Sequence, residues 1–183
     1  MKKFVIGCSL FCFIALQASA QTSTFVKGDN IVSLGVGFGG YNFGNYYTSS
    51  PYFTGYFERC FIDNLFDEKS SLGFGATIGY KSNKYEISGY GWKYTYLLFG
   101  VRGAFHYAFV DKLDTYAGMM MGYRGSSYKE IGNAGNVKPS NWGGLTSDFY
   151  VGARYYFTDN FGAFLELGYS WFSIGTIGVS VKF

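Results

Sequence analysis

Charge, cysteine, proline and histidine are all scarce in this chain of 183 residues. Only 15% of the residues are charged, against about a quarter in an ordinary soluble domain, so much of the surface is not built to face water. Cys8 and Cys12 lie near the extreme N-terminus, which leaves Cys60 alone in the remainder. An intramolecular disulfide, a thiol redox pair and a cysteine-based zinc cluster are thereby excluded. The lone histidine, His106, has no second imidazole with which to form a metal-ligand spacing. The Gly35–Gly40 stretch is not followed by the Lys-Ser/Thr pair of a phosphate loop, and no cofactor is expected. Charge of one sign is not in excess either. Without Lys2 and Lys3 the chain holds 13 basic and 12 acidic residues, so it carries no nucleic-acid footprint.

The N-terminus has the layout of a secretion signal. Lys2 and Lys3 precede an uncharged apolar run from Phe4 to Leu16, and Ala18-Ser19-Ala20 supplies the small-x-small cleavage pattern. The apolar run is too short to span a bilayer as a helix. Residues 1–20 are predicted to be a cleaved signal peptide, and residues 21–183 to form one domain. The single Cys60 is then a small side chain near a strand end.

Aromatics and glycine are abundant: 22% of the residues are Phe, Trp or Tyr, and there are 27 glycines. Their order is a period of two. Val32, Leu34, Val36 and Phe38 alternate with Ser33, Gly35, Gly37 and Gly39, which is the signature of a strand. The uncharged stretch Ile31–Phe57, although long, contains Pro51 and several glycines and cannot be a membrane helix. The same alternation recurs around Phe53–Glu58, Leu72–Tyr80, Leu97–Phe109, Asp114–Arg124, Asp148–Phe157, Phe161–Trp171 and Thr176–Phe183. Eight strands are countable. Tyr41–Ser50, Lys81–Gly91 and Ser126–Thr146, rich in Gly, Asn, Ser and Tyr, are expected as long loops on one rim. Asp63–Ser70, Asp111–Leu113 and Thr158–Asn160 are expected as short turns on the other. That asymmetry is the habit of an eight-stranded antiparallel up-and-down transmembrane β-barrel, an all-β fold.

Alternation alone does not say which face points inward; a soluble lipocalin-like barrel alternates too. The charges decide it. Glu58, Asp114, Asp148 and Glu166 share one face with Arg102, Arg124, Arg154 and Lys182, among glycines and hydroxyl residues. A face so poor in long polar side chains suits a narrow lumen better than a wetted exterior. The other face is nearly uncharged along its strands, as hydrocarbon requires. Tyr80, Tyr123, Tyr169 and Trp171 at one end, and Tyr107 and Tyr155 at the other, are expected as aromatic girdles at the two membrane interfaces. In a barrel of this size the interior is filled by side chains, so the predicted Arg/carboxylate network plugs the lumen.

The stretch Gly152-Ala153-Arg154-Tyr155-Tyr156-Phe157-Thr158-Asp159-Asn160-Phe161-Gly162-Ala163-Phe164, with Glu166-Leu167-Gly168-Tyr169 after it and the final strand ending in Phe183, resembles the OmpX-like and OmpA-like small outer-membrane barrels of Gram-negative bacteria. The resemblance implies an integral outer-membrane protein with both termini in the periplasm, surrounded by outer-membrane lipids and lipopolysaccharide, as a monomer. Val179, Val181 and Phe183 resemble the terminal signal read by the barrel-assembly machinery of such proteins. A family of diverse roles leaves the activity open.

His106 falls on the inward face near the short-turn rim, where a lumen hydrogen bond accounts for it more simply than catalysis. The expectation is therefore not an enzyme but a structural or surface-interaction protein. Its outer loops, including Tyr128, Lys129, Glu130, Lys138 and Trp142, are candidates to contact a surface ligand. The alternative is a narrow channel or carrier for small or hydrophobic molecules, motivated by the glycine-rich inner face.

Overall fold

A computed structural model of the protein describes residues 23–40, 47–132 and 141–183. The expected signal peptide and Lys138 lie outside these residues. The elements are β1 (Asn30–Phe38), β2 (Tyr47–Ser49), β3 (Tyr52–Asp63), β4 (Ser70–Ile87), β5 (Tyr90–Val110), β6 (Leu113–Ile131), β7 (Trp142–Tyr156), β8 (Phe161–Tyr169) and β9 (Gly175–Lys182). Strand β1 pairs antiparallel with β3 and with β9, and every other strand of the ring pairs antiparallel with its sequence neighbours. Eight strands thus close on themselves, which leaves no sheet edge across the barrel wall, the condition for crossing hydrocarbon with β-structure. The ninth, β2, prolongs β3 beyond the break at Ser50-Pro51, where proline has no N–H to give the ladder, and pairs with the far end of β4.

Across the belt the burial pattern follows the period of two, with register shifts at Cys60/Ile62 and Tyr107/Val110 near the short-turn rim. Along β1 it runs buried and exposed in strict alternation from Ile31 to Phe38. Leu34, Ile78, Phe99, Val101, Val151, Leu167 and Ile177 all stand on the outside with half or more of their surface exposed. A contiguous apolar exterior of this extent is foreign to a monomer in water and is what lipid demands of a barrel. Along β5, the apolar stretch from Leu97 to Tyr107 measures roughly 25 Å along the membrane normal, at about 3.3 Å per residue and a tilt near 40°.

The structure corrects all three expected long loops at least in part: Tyr47–Ser49, within Tyr41–Ser50, is strand β2. Lys81–Gly91 is a hairpin, in which β4 and β5 pair without interruption up to Ile87↔Tyr90. Its turn is Ser88-Gly89, both at positive φ (52° and 85°), the two-residue geometry whose twist matches that of the flanking strands. Ser126–Ile131 and Trp142–Thr146 are likewise strand. The composition is loop-like because both faces of these extensions stand above the apolar belt, so neither has to be apolar; their Tyr, Thr and Trp content still favours extended backbone. As a result β4, β5 and β6 run for 18, 21 and 19 residues, about twice the 9–11 needed to cross a bilayer.

The rim with short turns also carries both chain ends of the barrel. Asn30 and Phe183 exchange backbone hydrogen bonds of 2.8 and 2.9 Å. Before β1, residues 23–29 fold back across this mouth: Gly28 N–H donates to the Cys60 carbonyl at 3.1 Å, and Lys182 Nζ donates to the Thr24 carbonyl at 2.9 Å. The peg delivers Phe25, fully buried, into the lumen. Cys60 sits beneath it at an irregularity of β3, between Cys60 and Ile62.

Candidate functional site: the lumen and its outer mouth

Inward parity on five different strands brings the buried charges together in layers. In the layer next to the peg, Arg154 from β7 donates to Asp114 on β6 at 2.8 Å and through Nε to Ser180 on β9 at 3.1 Å. Ser180 in turn meets Ser33 on β1 at 2.8 Å. His106 on β5 bridges two carboxylates: Nδ1 lies 2.9 Å from Asp114 and Nε2 lies 3.0 Å from Glu58 on β3. An ionised carboxylate only accepts; with Glu58 and Asp114 both ionised, both ring nitrogens donate and the side chain is an imidazolium. Two anions, Glu58 and Asp114, then face two cations, Arg154 and His106, and the layer is neutral. All four side chains are buried. Phe25 closes it from the periphery, its ring 4.6 Å from that of His106.

The next layer is built around Glu166 on β8. Arg102 on β5 donates to it at 2.8 Å, and the hydroxyls of Tyr56 and Tyr116 donate to it at 3.2 and 3.3 Å. The Arg102 guanidinium is sandwiched between the rings of Tyr56 and Tyr150, 4.1 Å from each centroid, a desolvated geometry in which cation–π attraction is strongest.

Glycine does not leave this interior hollow. A Cβ on Gly118 would come within 2.6 Å of the Tyr150 hydroxyl, and one on Gly178 within 2.6 Å of the Phe164 ring. The glycines are seats for rings that cross the lumen. Among the described residues a cavity of about 40 Å³ lies above the Arg102–Glu166 pair, bordered by Asp148, Ser170 and Thr176 among others. That is room for about three waters, at 10–15 Å³ each. Over it, the rings of Tyr52 and Phe172 stack at 5.2 Å. Lys81 Nζ donates to the Phe172 carbonyl at 2.8 Å.

The predicted network therefore divides. Glu58, Arg102, Asp114, Arg154 and Glu166 form ion pairs in the lumen. Asp148 borders the cavity instead. Arg124 lies at the outer mouth between Trp142 and Trp171, 4.7 and 4.3 Å from their centroids. Lys182 leaves the lumen for the periphery, 3.8 Å from Asp29 and 5.0 Å over the Tyr156 ring. Of the expected girdle, Tyr80, Tyr123, Tyr155 and Tyr169 stand exposed on the outer wall. Tyr107, half-buried on that wall, donates its hydroxyl to Asp67 at 3.0 Å. Trp171 follows the end of β8 and packs against Trp142, with centroids 6.1 Å apart. Val179, Val181 and Phe183 face outward. Sequence reasoning did not single out Phe25, the tyrosines Tyr56, Tyr116 and Tyr150, or Lys81. The tyrosines share the inward parity of the charges and were open to detection on that ground. Phe25 precedes any alternation and was not.

Above the cavity, the inward face continues up the long hairpins as an aromatic surface. Tyr85 and Trp92 stack at 6.4 Å, Tyr94 and Tyr96 at 6.4 Å, and Tyr96 meets Trp142 edge-on at 6.5 Å. Among the described residues no cluster of His, Cys, Asp and Glu is arranged to hold a metal ion.

An eight-stranded closed ring with an apolar wall and a charged, filled interior defines the class: a small outer-membrane-type β-barrel. Solved structures with this fold include Ail, the attachment invasion locus protein of Yersinia pestis, determined in complex with the heparin analogue sucrose octasulfate. It is 12% identical, with a TM-score of 0.55 over 86% of this chain and 100% of that one. The N-terminal β-barrel domain of OprF from Pseudomonas aeruginosa is 13% identical, with a TM-score of 0.53 over 86% and 98%. The outer membrane protein OprG from the same organism is 14% identical, with a TM-score of 0.52 over 88% and 99%. No protein-family model matches the sequence, and no curated protein matches it.

Proposed function

We propose that the protein is an integral outer-membrane barrel whose lumen is closed and whose work is done at its outer end, as a structural or surface-interaction protein without enzymatic activity. The observation that carries this reading is the filled lumen beneath long, aromatic, strand-built hairpins. Energy of folding goes into a rigid scaffold, while the Tyr85/Trp92 and Tyr94/Tyr96 stacks rise above the apolar belt on β4 and β5. Aromatic rings with polar tips are the side chains most often recruited for contact with a partner. In this arrangement the short-turn rim and both termini face the periplasm, the exposed tyrosines mark the two interfaces of the membrane, and Val179, Val181 and Phe183 serve the barrel-assembly machinery. The protein functions as a monomer, because the ring is complete without a second copy. The channel or carrier alternative depended on space left by inward glycines, and rings lie against several of them, including Gly37, Gly79, Gly118, Gly152 and Gly178.

Cysteine labelling on intact cells tests the reading. Ser88→Cys, in the β4–β5 turn, is expected to react with a membrane-impermeant maleimide, whereas Asp111→Cys, in the turn between β5 and β6, reacts only after the outer membrane is permeabilised. Buried Cys60 contributes no background. A Ser88→Cys chain lacking Phe183 is expected to be secreted but to stay unlabelled on intact cells. The opposite labelling of the two turns, or recovery of the mature protein among periplasmic solubles, refutes the proposal.

A further inference from the structure

Three lysines stand side by side on the outer wall just above the apolar belt. Lys84 on β4 is the direct cross-strand partner of Lys93 on β5, and Lys93 is the direct partner of Lys129 on β6. All three are exposed. They share the outward parity of Tyr80, Leu97 and Tyr123, whose rows lie below them on the same strands. Directly opposed like charges destabilise a sheet, because the side chains emerge only about 5 Å apart. One carboxylate, Glu86, offsets the row by pairing with Lys84; Lys93 and Lys129 have no ion-pair partner among the described residues. Edge protection, the usual reason for lysine on a strand, accounts at most for Lys129, which lies beyond the last described β6–β7 pair, Ser126↔Trp142, and not for the other two. Lys93 is flanked by β4 and β6, and Lys84 by β5 and by Thr48 of β2.

The height of the row supplies the missing counter-charge. Lys93 follows Leu97 outward along β5 by roughly 10 Å of membrane normal, at about 3.3 Å per residue and a tilt near 40°. The polar headgroup region extends about 5–8 Å beyond the hydrocarbon on each side. Flexible lysine stems that lie along the wall bring their ammonium groups down to that level. We propose that Lys84, Lys93 and Lys129 form a binding site for the phosphate groups of lipid headgroups in the leaflet around the outer rim. The site holds the long hairpins upright against the membrane surface. It rests on the outer wall being lipid-facing, and it adds a specific lipid class to that reading.

Spin-label electron resonance on the full-length mature protein in phosphatidylcholine vesicles tests the site, with trace spin-labelled phosphatidic acid or phosphatidylcholine as probes. Heat-dependent gel migration confirms the folded barrel in each sample. A lysine near an anionic surface contributes about 1 kcal/mol, or about five-fold. The wild type is expected to favour phosphatidic acid by about five-fold or more at its surface. The K84Q/K93Q/K129Q variant is expected to bring the ratio near one, while K69Q, in the turn at the opposite rim, leaves it unchanged. An unchanged preference in the triple variant, or an equal loss in K69Q, overturns the site. Suppression of the wild-type preference by inorganic phosphate at low concentration overturns the assignment to lipid in favour of free phosphate. Absence of a motionally restricted component for both probes contradicts the lipid-facing wall itself.

Discussion

Replacing Arg154 with methionine lowers the unfolding free energy of the barrel by about 3–5 kcal/mol, the cost of stranding a buried charge by removing its partner. Arg154 is the shared donor of its layer: it reaches Asp114 at 2.8 Å and Ser180 at 3.1 Å, and approaches Glu58 at 3.8 Å. Without it, two buried carboxylates compete for the single imidazolium of His106. Methionine fills much of the vacated volume, so the effect reports charge more than packing. The R154M/D114N pair restores neutrality, with Glu58 facing His106, and is expected to recover more than half of the loss. Urea titration in lipid vesicles, followed by tryptophan fluorescence, reads both values. A single variant within about 1 kcal/mol of the wild type would mean that the lumen is wet enough to solvate the orphaned carboxylates.

The second large effect is on the opposite face. Leu165, near the middle of β8 and 46% exposed, points outward between Ala153 and Ile177, its cross-strand neighbours. Leu165→Arg is expected to cost about 2–4 kcal/mol in a bilayer, the penalty for a cation near the midplane of a barrel wall. On a wall facing water the same substitution of a half-exposed leucine would change little. The same urea titration checks it, and a change near zero in bilayers would mean that the wall does not meet lipid.

These two substitutions sit on faces that the period of two distinguishes in the amino-acid sequence, and that is why so much of the barrel was legible. Every strand crossing the belt has one face in lipid and one in the lumen, so its alternation is strong and its register is pinned. Above the belt that contrast disappears. Lys81–Gly91 looked like a loop because its two faces are both polar or aromatic, and only the Ser88-Gly89 turn marked it as a hairpin. Alternation likewise put the charges of the lumen on one face, but it gives no height, and height decides which charges meet. Arg124 shares the parity of Arg102 and Arg154, yet at its level it packs between Trp142 and Trp171, with Asp148 near enough to act on it through space rather than as a close ion pair. Lys182 shares it as well, at the other end, where the peg replaces the lumen. Phe25 was invisible for a different reason: a single residue folded back from outside the first strand leaves no periodic trace. Lys84 and Lys93 sit on the two arms of one hairpin and Lys129 on the next strand, and only the strand register shows them as one row.

Planar-bilayer conductance of the refolded protein reads whether the lumen is closed. Among the described residues the two charged layers and the Phe25 peg fill the lumen around a cavity of about 40 Å³, and no continuous water path is expected to cross the barrel. A preparation shown to be folded by its heat-dependent migration is expected to be electrically silent at all applied potentials. Discrete, reproducible conductance steps from that same preparation would contradict a closed lumen and restore the channel reading.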